Sequence, residues 1–340
     1  MGDHERKTIT TLRQACRSVA LTARVWGQAD ELNKKDSSNG KPFWELKLRD
    51  AGDFLILRAW ADTDAFRSCD ALERGECIEV EGDFAVNGSF GLDARRWKLR
   101  KLSPDETKIL FVGDEARIAA AEKDFSDVVR FIDEIRDPRL LGLGRLFLQE
   151  FGTRFQRAAA ARANHHAHRG GLLRHTGQMM RTADAICQAY PMLNRDLLLC
   201  GVLFHDCGKL WEVCPPESGF EIPRELRGEL LGHISIGIEV VNAMWRKLPH
   251  DEWRDAQPST EDVRLHLLHL IAAHHGELQF GSPIEPKTPE AIALNMIDNL
   301  DARLEMISAA YLKQPEIAPG IHERVRTLNA SPVKSLPAWP

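Results

Sequence analysis

Ionisable side chains interrupt segments of this chain whose pattern is otherwise apolar and helical. The clearest case is LFHDCGKL, residues 203–210, in which His205 and Asp206 stand side by side between apolar flanks. A buried histidine is often just hydrogen-bonded, and an aspartate near a helix end is often a cap. The pair alone therefore decides nothing, and its meaning depends on what the rest of the chain supplies.

Five more side chains of metal-ligating type break apolar helical faces elsewhere. They are His175, His233, His274, His275 and Asp298. These residues and the His-Asp pair fall on different predicted helices or at their ends, and helices that pack together bring such side chains into the middle of a bundle. Neutral imidazole suits iron, manganese, cobalt, nickel or zinc. We therefore predict a metal site assembled by tertiary contacts.

Seven ligands are too many for one ion that must keep a position open for water, so the set predicts two metals. Asp206 bridges them, because a carboxylate can join two cations while lowering their repulsion. The other ligands divide into two sets, His175, His205 and Asp298 on one metal and His233, His274 and His275 on the other. A hydroxide held between two such ions favours in-line attack on a phosphorus atom.

Chain length and net charge limit the kinds of protein that could contain this site. A chain of 340 residues predicts two domains. The net charge is about +1 up to residue 102 and about −6 beyond it, so neither part is a strongly basic nucleic-acid binder. No apolar run is long enough to span a bilayer, and the charged start MGDHERKTIT lacks the core of a secretion signal. We expect a cytoplasmic protein without a membrane partner.

The first part of the chain reads as β-structure. Five short strands are predicted in SVALTARVWGQAD, PFWELKLRDA, DFLILRAWA, ECIEVEGDFAV and SFGLDARRWKLRKL, separated by turn-forming residues. Five strands in under a hundred residues favour a small all-β barrel, and the oligonucleotide-binding (OB) fold leads. Aromatic and basic side chains are mixed here, as in proteins that stack bases and hold phosphates. The residues expected to contact single-stranded nucleic acid are Trp44, Trp60, Arg95 and Arg96. Further aromatic residues in this region are Trp26, Phe43, Phe90 and Trp97.

After KLSPDETK the pattern becomes helical and stays so, which predicts an all-α bundle behind the barrel. The predicted organisation is an amino-terminal extension (1–15), an OB-fold domain (16–102), a linker with the first helix (103–125), a helical metal-binding domain (126–328) and a flexible tail (329–340).

These motifs resemble the HD superfamily of metal-dependent phosphohydrolases. Its His…His-Asp…Asp signature is matched by His175, His205, Asp206 and Asp298. Members with two metals add histidines that correspond to His233, His274 and His275. A lysine usually follows the His-Asp pair, and Lys209 takes that place as the group that neutralises a phosphate or the leaving oxygen.

A closer resemblance, to the YhaM-type 3′-to-5′ exoribonucleases, covers nearly the whole chain. It rests on the preceding barrel and on HHAHRGGLLRHT, GVLFHDCGKL, GELLGHISIG and AAHHGELQFGSPIEPKTPEAIALNMIDNLDAR in the family's order. The resemblance implies removal of nucleotides from single-stranded 3′ ends with two divalent ions, manganese first and iron, cobalt, nickel or magnesium as alternatives. RNA is the expected substrate, and single-stranded DNA and a homo-oligomer are left open.

Residues around the ligands receive supporting roles. Gly170 and Gly171 predict a tight turn before the helix of His175, edged by His165, His166, His168, Arg169 and Arg174. We expect His166, Arg169 and Arg174 to contact the substrate. Asp301, the rival of Asp298 three residues later, is expected to orient the ligands together with Arg303. The segment GELQFGSPIEP is expected to cover the site, with Glu277 near the sugar or a histidine.

Three other functions use the same residues. Cyclic-dinucleotide phosphodiesterases share the two-metal ligands, but their Gly-Tyr-Pro segment is absent after the His pair, where HHGELQFGSP stands. A di-iron oxygenase would use the same ligand types to activate oxygen. A non-catalytic nucleic-acid-binding protein would use the barrel alone. The nearly complete ligand set favours the nuclease.

Overall fold

Alternating apolar residues build an antiparallel sheet in the first third of the chain, and helices build the rest. The computed structural model describes residues 5–16, 19–87, 91–162 and 166–337, so Phe90 and His165 lie outside the described residues. The strands are β1 (Arg6–Lys7), β2 (Leu21–Asp36), β3 (Pro42–Arg49), β4 (Phe54–Trp60), β5 (Cys77–Asn87), β6 (Gly91–Lys101), β7 (Glu316–Ala318) and β8 (Ile321–His322).

Ten α-helices accompany these strands in the described part of the chain. They are α1 (Ile9–Ala15), α2 (Asp64–Asp70), α3 (Pro104–Val112), α4 (Glu115–Asp133), α5 (Pro138–Arg157), α6 (Gly171–Ala189), α7 (Arg195–Phe204), α8 (Leu226–Trp245), α9 (Thr260–Ala273) and α10 (Pro289–Lys313). Short 3₁₀ helices lie at Cys207–Trp211, His250–Trp253 and Leu278–Phe280. No helix among the described residues is long and apolar enough to cross a membrane.

The main sheet has the strand order β4-β3-β2-β5-β6, with every one of these neighbours antiparallel. β1 adds to β2 in parallel. The two outer strands approach each other, since the Trp97 indole on β6 donates a hydrogen bond to the Arg58 carbonyl on β4 at 3.1 Å. No ladder joins β4 to β6 among the described residues, so the sheet is curved without being closed.

The five strands expected from alternation correspond to β2 through β6. Their inward positions, such as Leu46 and Leu57, are fully buried. Helices α1, α2 and α3 were not expected; each has a serine or threonine N-cap and only seven to nine residues. α1 places Ile9 and Leu12 in the core of the sheet. The predicted amino-terminal extension thus packs against the sheet.

Helices α4 to α10 enclose a second apolar core, which includes Phe147, Phe155, Phe204 and Leu270. A third, smaller cluster joins the two parts of the chain: Phe220 packs with Leu110 and Ala51, and its backbone N–H donates to Gln28 on β2 at 2.9 Å. The sheet is therefore held against the helical part by both apolar and polar contacts.

The end of the chain, predicted as a flexible tail from residue 329, makes pairings in its described part. Val333 forms an isolated bridge with Ile321 of β8. The Tyr311 hydroxyl donates to the Val333 carbonyl at 2.6 Å. The β7–β8 hairpin and these contacts tie residues up to 333 to the end of α10.

Candidate metal centre

The seven predicted ligands meet in the middle of the helical domain, delivered by five helices or their ends. The positions are His175 on α6, His205 and Asp206 directly after α7, His233 on α8, His274 and His275 directly after α9, and Asp298 on α10. The centre is thus built from five helices that share one apolar core. Tertiary packing, rather than any local motif, brings these ligands together.

Glycines shape the backbone next to two of the predicted ligands. Gly170 has φ +80° before α6, and a Cβ on Gly171 would lie 2.0 Å from the His166 carbonyl oxygen, so the predicted tight turn is present. Within α8 the backbone leaves helical geometry at Gly232, with φ +66° and ψ 160°. His233 follows this break, which turns it toward the other ligands.

Asp206 lies between two groups of histidines. Its Oδ2 is 3.3 Å from His205 Nε2 and 3.8 Å from His175 Nε2. Its Oδ1 is 3.5 Å from His233 Nε2 and 3.7 Å from His274 Nε2. One carboxylate therefore presents one oxygen to each group, which is the arrangement that a bridging ligand needs.

The remaining two predicted ligands extend these groups. Asp298 Oδ1 is 3.3 Å from His175 Nε2. The ring of His275 lies 4.3 Å from that of His274 and 5.2 Å from that of His233, measured between centroids. The rings of His205 and His274 are also close, 5.0 Å between centroids, so the seven side chains form one continuous cluster. The division into two ligand sets stays a prediction.

Every histidine of the set has its Nδ1 committed to a hydrogen bond. The acceptors are the carbonyls of Val202 for His205, Ile271 for His274 and Phe280 for His275, and the carboxylates of Asp301 for His175 and Glu212 for His233, at 2.7–3.0 Å. A ring that donates through Nδ1 turns the Nε2 lone pair toward the centre when the imidazole is neutral. Such outer partners are typical of metal-binding histidines.

Polar atoms that point into the centre lack hydrogen-bond partners, as the ligand atoms of a metal ion would. Among the described residues, three inward polar atoms are buried without a hydrogen-bond partner: Asp206 Oδ1, His233 Nε2 and His274 Nε2. Buried polar atoms are rarely left unpaired in folded proteins. Imidazole nitrogens and carboxylate oxygens together suit first-row divalent ions. The residues present therefore fit a metal.

Protons and one ammonium group partly balance the carboxylates. Burial alone would lower the pKa of His175, but its hydrogen bonds with Asp298 and Asp301 raise that pKa to about 9. Burial likewise opposes ionisation of Asp206, yet the charges of Lys209 and His205 hold its pKa well below the usual range. Lys209 Nζ lies 2.6 Å from Asp206 Oδ2. The predicted phosphate-binding lysine is thus within reach of the centre, paired with the bridging carboxylate.

Asp301 lies where an orienting residue was expected, and a second such residue was missed. Asp301 Oδ2 accepts from His175 at 2.7 Å and from His166 at 2.9 Å. Glu212, at the end of the 3₁₀ helix that follows Asp206, accepts from His233 at 3.0 Å. The spacing of Glu212 along the chain did not distinguish it from a surface glutamate. Each half of the centre thus has one histidine oriented by a carboxylate.

Several predicted neighbours have other contacts than those expected. His166 is only 3% exposed and hydrogen-bonds to Asp301, so it faces the protein interior rather than a substrate. The Arg169 guanidinium donates to the backbone carbonyls of residues 216, 217 and 219, so its hydrogen bonds are made with a loop of the protein. Arg303 is exposed and donates to Asn299 instead of orienting a ligand. Arg174, one residue before His175, remains exposed and 4.0 Å from Glu305.

On the sheet, the structure separates the four residues predicted to contact nucleic acid. Trp44 packs against the sheet core and donates to Asp70, because it alternates inward on β3. Trp60 is 41% exposed and stacks on Phe43, with centroids 4.8 Å apart. Trp60, Arg95 and Arg96 line one groove of about 680 Å³. Trp44 is therefore partly buried against the sheet core, and the other three share a surface.

The segment between the His pair and α10 lies beside the centre, held by the His275–Phe280 hydrogen bond of 2.8 Å. The Glu277 side chain is exposed and accepts from Gln279, while its backbone N–H donates to the His275 carbonyl at 3.0 Å. Ser282 is 3% exposed, and its hydroxyl lies 3.0 Å from the Ala272 carbonyl. The segment is thus anchored at the carboxyl-terminal end of its 3₁₀ helix.

Comparisons with known proteins agree with this geometry. The HD domain family matches residues 172–303, which span His175 through Asp298, and HD domains bind divalent metals. The 3′-5′ exoribonuclease YhaM of Bacillus subtilis is 34% identical over 297 residues, covering 86% of this chain and 88% of that protein. The YhaM protein of Bacillus licheniformis is 34% identical over 300 residues, with the same coverage.

A solved structure of RecG bound to a three-way DNA junction matches 34% of this chain and 16% of that chain, with 12% identity and a TM-score of 0.25, which is too low to support an argument about the fold. The Bacillus relatives, by contrast, extend over most of both chains. The resemblance noticed in the motifs is confirmed. This chain belongs to the HD-domain family of the 3′-5′ exoribonuclease YhaM.

Proposed function

We propose that this protein removes nucleotides from the 3′ end of single-stranded RNA by metal-dependent hydrolysis. The observation that carries the proposal is the position of Asp206, with one oxygen toward His175 and His205 and the other toward His233 and His274. A bridging carboxylate between two ligand sets is the feature of two-metal phosphodiester hydrolysis. The Bacillus relatives are 3′-5′ exoribonucleases, which supports this class of reaction.

Two ions would share these ligands. One would be held by His175, His205 and Asp298, and the other by His233, His274 and His275. Asp206 would bind both ions. When bound, the two ions supply a water molecule of lowered pKa and stabilise charge on the phosphate oxygens. Manganese is the proposed ion, with iron, cobalt, nickel and magnesium as alternatives, because the nitrogen and oxygen donors accept all of them.

The chain's own residues supply positioning and charge. Asp301 and Glu212 hold His175 and His233 with their Nε2 atoms inward. The Lys209 ammonium, now on Asp206, is placed to pair with a phosphate oxygen or the leaving oxygen. The exposed Arg174 beside the centre is proposed to hold the next phosphate.

We also propose that the sheet is an OB fold that binds the single-stranded RNA substrate. The order β4-β3-β2-β5-β6 is that of a partly open five-stranded Greek-key barrel, and α2 lies between β4 and β5. Trp60 offers an exposed ring and Arg95 an exposed guanidinium in the same groove. Stacking and phosphate contacts of this kind bind single strands with little sequence preference.

Trp60→Ala is therefore expected to weaken binding of single-stranded RNA by roughly tenfold, since one base–aromatic stack contributes about 1–3 kcal/mol. Fluorescence anisotropy of a labelled strand with metal-free protein measures this affinity. Val86→Ala, which truncates another exposed apolar side chain of the sheet, is the control. Equal affinities for the two variants would remove Trp60 from the proposed path.

The activity is tested by supplying metal-free protein separately with manganese, magnesium, iron, cobalt and nickel, and adding 5′-labelled single-stranded RNA or DNA of the same sequence. A ladder that shortens from the 3′ end of RNA is expected, and the most active ion identifies the metal. Products of internal cleavage, or binding without cleavage under every metal, would refute the exonuclease. Shortening of both strands would extend the substrate to DNA.

A further inference from the structure

Differences in exposure show from which side the metal centre is reached. His205, Asp206 and His274 are at most 2% exposed, so this side is closed by the protein. The His233 and Asp298 side chains are 14% and 19% exposed. A phosphodiester therefore reaches the centre on the side of His233 and Asp298.

Two segments next to this opening expose large apolar side chains. Leu230 and Leu231 precede the Gly232 break, with 72% and 50% of their surface exposed. Leu278 and Phe280, each 62% exposed, follow the His274–His275 pair. The rings of His233 and His275 are 5.2 Å apart, which brings the two segments together at the opening. Grouped exposed apolar side chains of this kind mark binding sites more often than scattered ones do.

The backbone of residue 280 is fixed relative to the metal centre, and its ring is left outside the core. The Phe280 carbonyl accepts from His275 Nδ1 at 2.8 Å. The next residue, Gly281, has φ +89° and donates to the Leu278 carbonyl at 3.0 Å. Ser282 then anchors the chain to α9 through the Ala272 carbonyl. These contacts fix the backbone of residue 280 next to His275, while the Phe280 side chain is left 62% exposed.

We propose that Phe280 stacks on the base of the 3′-terminal nucleotide while the adjoining phosphate enters the metal centre, an inference that rests on the proposed exonuclease activity. Every base has a π-face, so such a contact accepts all four bases. A terminal base that is paired and stacked in a duplex does not offer that face. Phe280 therefore selects unpaired ends at the catalytic domain itself, independently of the barrel.

The test uses manganese-loaded protein and two 5′-labelled RNAs that differ only in whether the 3′-terminal nucleotide carries a base or is abasic. Single-turnover removal of that nucleotide is timed for the wild type, Phe280→Ala and Phe280→Trp. Stacking contributes about 1–3 kcal/mol, so Phe280→Ala is expected to slow removal of the ordinary nucleotide by about 5- to 150-fold. Phe280→Ala should slow removal of the abasic nucleotide by less than about twofold, and Phe280→Trp should remove both nucleotides at the wild-type rates.

Two further readouts separate stacking from a structural role. Manganese content by equilibrium dialysis should match the wild type, because residue 280 touches His275 through its backbone. The fluorescence of an RNA strand with 2-aminopurine at its 3′ end should be quenched by metal-free wild-type protein and not by the Phe280→Ala protein. Met192→Ala, which truncates a 74% exposed side chain at the far end of α6, is the surface control.

The outcomes distinguish the two proposals. If Phe280→Ala slows both RNAs equally, or keeps the wild-type preference for the nucleotide that carries a base, the stacking role is overturned while the exonuclease stands. Equal quenching by the two proteins overturns it as well. If wild-type protein leaves both RNAs intact, the proposed exonuclease fails, and the inference fails with it.

Discussion

Asp206→Ala is expected to abolish both metal binding and cleavage of RNA. The substitution removes the carboxylate that faces both histidine groups, at 3.3–3.8 Å from four Nε2 atoms. It also leaves the Lys209 ammonium without its 2.6 Å partner. Losing one member of a buried ionic cluster costs about 3–5 kcal/mol. The variant should therefore lose stability in its metal-free form as well as activity.

Metal content by equilibrium dialysis, the 3′ ladder assay and thermal unfolding measure these effects. We expect manganese to fall from two ions per chain to less than one, and cleavage to fall to background. Asp206→Asn, which keeps the shape and one oxygen, separates charge from packing. Asp184→Ala, which breaks a surface ion pair with Arg195, is the control. An Asp206→Ala protein that binds manganese and cleaves at the wild-type rate would show that the bridging role is wrong.

The second large effect is expected from Gly208→Ala, two residues after Asp206. A Cβ at this position would lie 1.9 Å from the His233 carbonyl oxygen and 2.9 Å from the Gly237 nitrogen. Both atoms belong to the backbone of α8 and cannot rotate away. α8 must therefore shift, which moves His233 from its place 3.5 Å from Asp206. Overpacking a buried site costs about 1–3 kcal/mol or more.

Thermal unfolding and metal content are the measurements for Gly208→Ala. We expect a loss of stability of at least about 2 kcal/mol and metal binding reduced to one ion, because the second set loses His233. Gly152→Ala on α5 is the matched control, since a Cβ there meets nothing within 4 Å. Removing a glycine inside a helix should stabilise the protein by about 0.5–1 kcal/mol. Wild-type metal content in Gly208→Ala would refute the close-approach argument.

Long elements could be predicted because their patterns repeat. Alternation over β2 to β6 and helical periodicity over α6 to α10 each extend over several residues that face one core, so the signal adds up along the segment. The short helices α1, α2 and α3 were missed because seven to nine residues carry little periodicity. Their N-caps at Thr8, Thr63 and Ser103 were the available signal.

Side-chain direction was harder to predict than position. Trp44 and Trp60 were equal candidates, yet alternation and pairing send Trp44 toward the core and Trp60 outward. Arg169 was expected to hold phosphate, but three loop carbonyls take its guanidinium. A residue type shows which contacts a side chain can make. Only its neighbours in space decide which contact it does make.

The sequence by itself determined the metal-ligating chemistry of this protein. Histidines and aspartates that recur in several apolar helices together indicate a metal site, and their order along the chain matches the HD signature. The tertiary structure decided how they work together. It places the two oxygens of Asp206 toward two different groups of histidines, lets Glu212 orient His233, and leaves Phe280 exposed near the opening. These relations join residues far apart in the chain, and they arise only when the helices pack around one core.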